Sequence, residues 1–358
     1  MEIITYIMVV FAVLGGIDRI IGNKFGLGKE FERGIEILSL LTSAMFGILI
    51  LSPVIANLIK PVLSYLPMEP SLPMGIVFSI DLGGAELAKE LATTPELGYF
   101  NGIIVATMMG CTISFSIPFA LNSVDKQLHK FVFLGFLCGI VTIPIGSFVG
   151  GLVAGVPLNM LLADLLPLVI ISAIIAFGLA KFPNVSVKIF SVFGNLLKFI
   201  TAVGLVVGVV SALLHKDIVP GMMPVEKAFS IIFNAAMFMA GAFPFVYVLS
   251  KILGRPLKAM GKLFHINDVS VTGLLSTLAS NTVTFDMMKT MDNKGIVINS
   301  AFIVAASSVF SSHMAYAMGV CPSFTPGLIV GKFVGGILAV VVAMFVYKGI
   351  YGETENKQ

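Results

Sequence analysis

Apolar residues in this chain arrive in runs of about twenty, one after another, and a run of that length is what an α-helix needs to cross the hydrocarbon layer. Eleven such stretches are legible, at 3–22, 34–60, 72–92, 100–121, 131–154, 161–181, 188–214, 226–253, 267–290, 296–318 and 324–347. Backbone polar groups find no water there, so the spans must be helices or a closed barrel. The runs are too long, and too rich in Leu, Ile and Ala, for the alternating strands of a barrel. Composition agrees. Only 11% of the 358 residues are charged, against about 25% in a soluble domain. The connections are short, so no soluble domain fits between the runs. These features predict an all-α integral membrane protein.

Several function classes drop out. The net charge of +3, with no block of Lys and Arg, gives no reason for a nucleic-acid partner. Cys111, Cys138 and Cys321 lie within or beside apolar runs and at no metal-ligand spacing, so neither a disulfide framework nor a metal site is expected. There is no Gly-x4-Gly-Lys-Ser/Thr phosphate loop, no Gly-x-Ser-x-Gly elbow and no His-Glu-x-x-His. An enzyme and a bound cofactor are therefore not expected. Glu2 precedes the first apolar run while Arg19, Lys24 and Lys29 follow it, which fits a first helix inserted with its N-terminus outside better than a cleaved leader.

Basic residues set the topology, because cytoplasmic loops collect Lys and Arg. They gather at 19–33, 122–130, 181–188 and 251–265, and are all but missing from 61–71, 155–160 and 319–323. The first set is read as inside and the second as outside. Two apolar stretches then separate an outside loop from an inside one in two places, so one of each pair fails to cross. The stretches 72–92 and 267–290 are the natural candidates, since the first carries Pro73, Gly83 and Gly84 and irregular backbone at membrane depth must be buried or line a cavity. The expectation is about nine full spans plus two re-entrant segments, with the N-terminus outside and the C-terminus inside.

An internal repeat runs through the chain. Gly146–Ala154 matches Gly331–Ala339 at six of nine positions. Glu32-Arg33 with Lys60-Pro61 parallels Glu226-Lys227 with Arg255-Pro256; Asp81, Glu86 and Lys89 parallel Asn281, Asp286 and Lys289; Cys111–Ser116 parallels Ser308–His313. Four matches in one order indicate duplication. Residues 1–181 read as a first repeat with an extra helix, 182–351 as the second, and 352–358 as a polar, disordered tail. With the charge-derived topology the repeats are inverted, an arrangement typical of secondary transporters.

Three polar clusters interrupt the apolar runs. Asp81, beside Gly83 and Gly84, is an ionisable group in a membrane segment and needs a reason to be there. It can hold an ammonium group, and the glycines allow an unwound turn. Glu86 and Lys89, three apart, are as well explained by pairing with each other. Asn281 and Thr282, in the repeat mate, offer uncharged hydrogen bonds or serve as glue between helices. His313 lies deep in an apolar run, facing a repeat mate that holds Ser114 and Ser116. It is a packing residue or a pathway residue that titrates near neutrality. The small-xxx-small sets Gly146/Gly150 and Gly331/Gly335 are helix-packing faces, within one chain or in a homo-oligomer. These residues read as a carrier of a small polar solute; an ion-coupled carrier of another metabolite, a membrane enzyme and a non-transporting subunit stay open on the residues alone.

Beyond that reading, Ile17-Asp-Arg-Ile20, Asp81-Leu-Gly-Gly84 with Ala88-Lys-Glu-Leu91, Phe115-Ser-Ile-Pro118, Gly139–Gly146 and Ile329-Val-Gly-Lys332 resemble the ethanolamine permease family of bacterial ethanolamine-utilisation systems. The resemblance spans nearly the whole chain. It implies uptake of ethanolamine across the inner membrane, in support of ethanolamine catabolism. A site for that solute needs a carboxylate for its ammonium and hydrogen-bonding partners for its hydroxyl. Asp81, with Ser114, Ser116, Asn281, Thr282 and His313 around Gly83 and Gly84, is the expected set.

Overall fold

The computed structural model describes residues 2–355, apart from the side chains of residues 2, 187, 250, 253–263 and 352–355. Among the described residues it is all helix and turn, with no strand. Seven helices are long and apolar enough to cross a bilayer, and a pair bent by 41°, Lys126–Ile140 with Ile143–Val153, makes an eighth if counted as one span.

The long helices are α1 (Glu2–Ile20), α2 (Leu27–Leu63), α9 (Leu158–Lys181), α10 (Pro183–Leu214), α11 (Val225–Phe264) and α16 (Thr325–Glu355). A further span runs Pro95–Ser123: α5 (Pro95–Tyr99) continues as π-helix through Phe100–Gly110 and Thr112–Ser116 into α6 (Ile117–Ser123). Between these lie the shorter pieces α3 (Leu72–Val77), α4 (Gly84–Leu91), α7 (His129–Ile140), α8 (Ile143–Val153), α12 (Asp268–Ala279), α13 (Asn281–Met287), α14 (Asn293–Ala306) and α15 (Ser312–Val320).

The exposed surface is unlike that of a soluble protein, while the interior mixes an apolar core with polar groups. Large apolar side chains of α1, α9 and α10, such as Tyr6, Leu166, Ile174, Phe199 and Val206, are exposed. Asn101, Thr107, Thr112, Asn299, Ser300 and Lys332 are buried with no exposed surface at all. A continuous apolar exterior of this kind fits a lipid solvent and no aqueous one.

Several boundaries differ from the sequence-based expectation. The basic loop expected at 251–265 is helical as far as Phe264, and Lys188 sits in α10 rather than in a turn. The tail expected to be disordered from residue 352 continues α16 to Glu355; residues 356–358 lie outside the described residues. The stretch 296–318 is not one helix. It breaks at 307–311 between α14 and α15. Pro73 does not break a helix either: it falls in the first turn of α3, where its missing N–H costs nothing.

The two stretches expected to be re-entrant are broken helices. In the first, Phe78 and Ser79 are extended, Ile80–Leu82 forms one 3-10 turn, and Gly83 takes φ +88° before α4 begins. A side chain at Gly83 would be strained by that φ, and its Cβ would meet Ile48 Cγ1 at 2.5 Å. In the second, Ser280 alone is extended (φ −163°, ψ 124°) between α12 and α13. The exposed C-terminal carbonyls of α12 are met by the 307–311 break. Ser308 N donates to Thr277 O at 2.9 Å, Phe310 N to Leu278 O at 3.0 Å, and Ser311 Oγ to Ala279 O. Three groups that a helix end leaves open are satisfied by a neighbouring unwound segment. Ser308 accepts a left-handed φ of 54° to do so.

The glycine-rich faces pack on each other. A Cβ on Gly146 would lie 2.7 Å from Gly331 O, and one on Gly331 would lie 2.7 Å from Gly146 O. Gly150 faces Gly327, and Thr142 Oγ1 donates to Gly335 O at 3.0 Å. Helices α8 and α16 therefore run antiparallel in backbone contact.

Candidate functional site

The breaks converge. A cavity of about 360 Å³ is lined by Asp81, Asn281, Thr282 and His313, one or more from each of the three unwound points, together with Cys111 and Phe115 of the π-helical span. Leu41 and Met45 of α2 and Phe243 of α11 supply its apolar wall. Asp81 projects here because Gly83 reverses the chain just after it.

Asp81 is half-buried. Its Oδ1 accepts from Ser79 Oγ, and its Oδ2 accepts from Ser312 Oγ at 3.4 Å. No Lys, Arg or His among the described residues forms an ion pair with it. A carboxylate bonded only by hydroxyls, and facing a cavity, has unused capacity for a cation. Across the cavity, Asn281 Nδ2 donates to Ser116 Oγ at 3.1 Å, and Ser280 Oγ and Thr282 Oγ1 share a hydrogen bond of 2.7 Å.

Four of the eight expected residues line the cavity: Asp81, Asn281, Thr282 and His313. The others stand behind it. Ser116 holds Asn281; Ser114 Oγ accepts from Ser79 N at 3.1 Å and donates to Gly110 O at 2.7 Å, fixing the extended backbone that precedes Asp81. Gly83 makes the turn, and Gly84 lets α4 start against the carbonyls of Phe78 and Ser79. Glu86 is buried and pairs with Lys89 at 3.8 Å, as the plainer of its two readings has it, whereas Asp286 and Lys289 in the second half are exposed.

The sequence reading missed Lys332 as a site residue. Its Nζ is fully buried, donating to Thr107 O at 2.7 Å and meeting His313 Nδ1 at 3.1 Å. An ammonium has donors and no acceptor, so with Lys332 charged Nδ1 would be the acceptor and the imidazole proton would sit on Nε2. Lys332 is the only charged residue in the run 324–347. That signal was available, because an isolated charge in a membrane span is functional by default. Phe243 was also missed, and nothing in its sequence context marks it; Ser311 and Ser312 fall in the stretch Ser308–His313 singled out as a repeat mate, without being named as site residues.

The cavity leads toward the N-terminal end of α2. Arg33 lies at its edge, with its guanidinium 4.9 Å above the Phe243 ring and 3.3 Å from Glu30. A second cavity of about 390 Å³ shares Arg33, Phe243, Ser280 and Val283 with the first and extends it to Glu30 and Tyr247.

The family model described as "Ethanolamine utilisation protein, EutH" matches residues 1–346. The chain belongs to the EutH family. Among the relatives of this EutH-family chain, the "Probable ethanolamine permease EutH" of Listeria monocytogenes is 41% identical over 361 residues, covering 100% of this chain and 97% of the relative. The protein of the same name in Salmonella typhimurium is 35% identical over 385 residues, covering 96% and 94%. An uncharacterized Bacillus subtilis protein, YxeR, is 33% identical over 346 residues, again covering 96% and 94%. No solved structure matches the chain. The family resemblance read from the sequence is thus confirmed, and the name permease agrees with the transport reading and not with the enzyme reading.

Proposed function

We propose that this EutH-family protein carries protonated ethanolamine into the cell across the inner membrane by alternating access. The observation that carries the reading is the Asp81 carboxylate, which has no ion-pair partner among the described residues and faces a cavity shared with the neutral polar groups of Asn281, Thr282 and His313, with Arg33 at its edge. The ammonium end of the solute pairs with Asp81. Its hydroxyl exchanges hydrogen bonds with Asn281, Thr282 and His313, which Ser116 and Lys332 hold in place. Relatives named as ethanolamine permeases support that cargo.

The contacts also support two inverted repeats and rocking between them. Aligning Gly146 with Gly331 places Thr142 with Gly327 and Gly150 with Gly335. The contact of Thr142 with Gly335 is then the mate of the contact of Gly327 with Gly150, and both are present. The same holds at the cavity. Asp81 is bonded by Ser312 and Asn281 bonds Ser116, pairs that correspond to within one residue under the repeat alignment. A cation needs no coupling ion to enter, since the membrane potential favours it by about 2.3 kcal/mol per charge per 100 mV. Uniport is sufficient.

The test is uptake of labelled ethanolamine into proteoliposomes with an inside-negative potential, wild type beside Asp81→Asn, across a pH series. Saturable uptake by the wild type that the variant loses is the expected result. Uptake that survives in Asp81→Asn moves the site elsewhere, and no uptake by folded wild-type protein removes ethanolamine as the cargo.

A further inference from the structure

A second polar cavity lies at the other end of α2 from Arg33. It measures about 510 Å³, and its polar lining is Glu69, Thr93, Thr94, Asn159 and Asp164, with no Lys or Arg among its lining residues. Glu69 is fixed there: its Oε1 accepts from Thr93 N at 2.9 Å and from Ser71 Oγ at 3.1 Å, and its Oε2 from Thr93 Oγ1 at 2.6 Å. Asp164 is the unusual member. It is only 2% exposed, no donor lies at good hydrogen-bond distance from either carboxylate oxygen, the Asn101 side chain is the one polar group near enough for a weak contact, and it belongs to no ion pair among the described residues. Asn101 stands beside it, with an amide that donates to Ser71 Oγ at 3.0 Å and an Oδ1 that also lacks a donor.

Buried oxygens of this kind are rarely left without a donor. What the pocket lacks is a group rich in N–H donors and carrying positive charge, and a primary ammonium is both. We propose that the cavity between Glu69 and Asp164 is a separate binding site for a small organic ammonium ion, which occupies it before reaching the Asp81 cavity. The connections 61–71 and 155–160, which border the pocket, carry no Lys or Arg beyond Lys60 at the edge, so a cation approaching this end meets little like charge. A cavity this size is larger than a bare inorganic ion needs and holds an ammonium with its hydration. The proposal rests on the reading of the protein as a carrier of ammonium cargo.

Two measurements test it. The first places a cysteine at Asn159, exposed and lining the cavity, in an Asp81→Asn, Cys321→Ser background, and follows its modification by a membrane-impermeant maleimide. Ethanolamine slows labelling even though the Asp81 site is disabled, sodium chloride at the same concentration does not, and adding Asp164→Asn abolishes the protection. The second compares uptake kinetics. Asp164→Asn raises KM by about fivefold, the size of one partly solvated charge pair, with little change in the maximal rate. Glu69→Gln, which keeps an acceptor for Thr93, replaces it if Asp164→Asn does not fold, and is expected to shift KM in the same direction. Labelling that ethanolamine leaves unchanged, protection by sodium equal to that by ethanolamine, or an unshifted KM overturns the proposal. Failure of the carrier reading shows differently, as absence of uptake by the wild type, and the labelling arm does not depend on transport.

Discussion

At the scale of single residues, the site is an economy of charge. Asp81 carries the negative charge; under the proposed repeat its counterpart would be Asn281, a neutral near-isostere, so the two halves would contribute similar shapes but only one carboxylate. Lys332 supplies the nearby positive charge. It does not touch Asp81, but the two interact through space inside a poorly polarisable interior. In the empty carrier Lys332 therefore offsets Asp81, and an arriving ammonium competes with it. Lys332→Met, which keeps the length and removes the charge, is expected to lower the KM for ethanolamine by about tenfold, because Coulomb terms between buried groups are worth on the order of a kcal/mol or more. The maximal rate falls with it, since a tighter site releases its cargo more slowly. A raised KM would instead make Lys332 a direct contact for the solute through His313.

Helix ends explain the element scale. A break persists where a neighbouring group takes the place of the missing helical bonds, as Ser308, Phe310 and Ser311 do for the carbonyls of α12 and the Ser114 hydroxyl does for Ser79 N. Irregular backbone is tolerable in the bilayer only with such partners. Close approach of the elements depends on glycines. At Gly331 a side chain must displace the backbone of α8, so Gly331→Val is expected to destabilise the fold by about 1–3 kcal/mol, as overpacking generally does. Gly349, also in α16, has nothing within 4 Å of a built Cβ. Gly349→Ala is expected to be neutral or to stabilise by about 0.5–1 kcal/mol through helix propensity. Thermal unfolding of both variants in detergent separates the two cases; equal midpoints would show that the glycine contact contributes no stability.

Over the whole molecule, an apolar exterior surrounds an apolar core that encloses scattered polar groups, and two cavities whose acidic groups have no ion pair among the described residues, Asp81 in one and Asp164 in the other, sit toward opposite ends of α2. The first opens toward the basic stretch 19–33, and the second borders the segments poor in Lys and Arg. On the topology proposed from the positive-inside bias, the Asp81 cavity would face the cytoplasm and the Asp164 cavity would face out. A cysteine placed at Leu66, which is exposed, is therefore expected to react with an impermeant maleimide added to intact cells, and one at Lys126 is not. Labelling at Lys126 from outside would reverse the topology and with it the order of the two cavities. Cys111 and Cys138 are buried, so replacing Cys321 clears the background.

Run length and composition made the helical membrane class readable in advance, the motif stretches such as Asp81-Leu-Gly-Gly84 made the family readable by resemblance, and the charge pattern picked out the stretches 72–92 and 267–290 in which two of the breaks fall. Those features depend on local pattern: hydrophobic length sets a span, and Gly83 sets a turn whatever packs against it. The break at 307–311 was not readable in this way. Val304, Ala305, Val309 and Phe310 continue an apolar pattern, and only contact with the open end of α12 makes leaving the helix favourable there. The partition of the expected site was also decided in three dimensions, with Ser114 and Ser116 placed behind the cavity and Asn281 in its wall. Lys332 and Asp164 were visible as lone charges in apolar runs. Which groups meet them, Thr107 and His313 for Lys332 and no cation for Asp164, is a property of helices far apart in sequence, so only the tertiary structure could give each charge its partner or leave it without one.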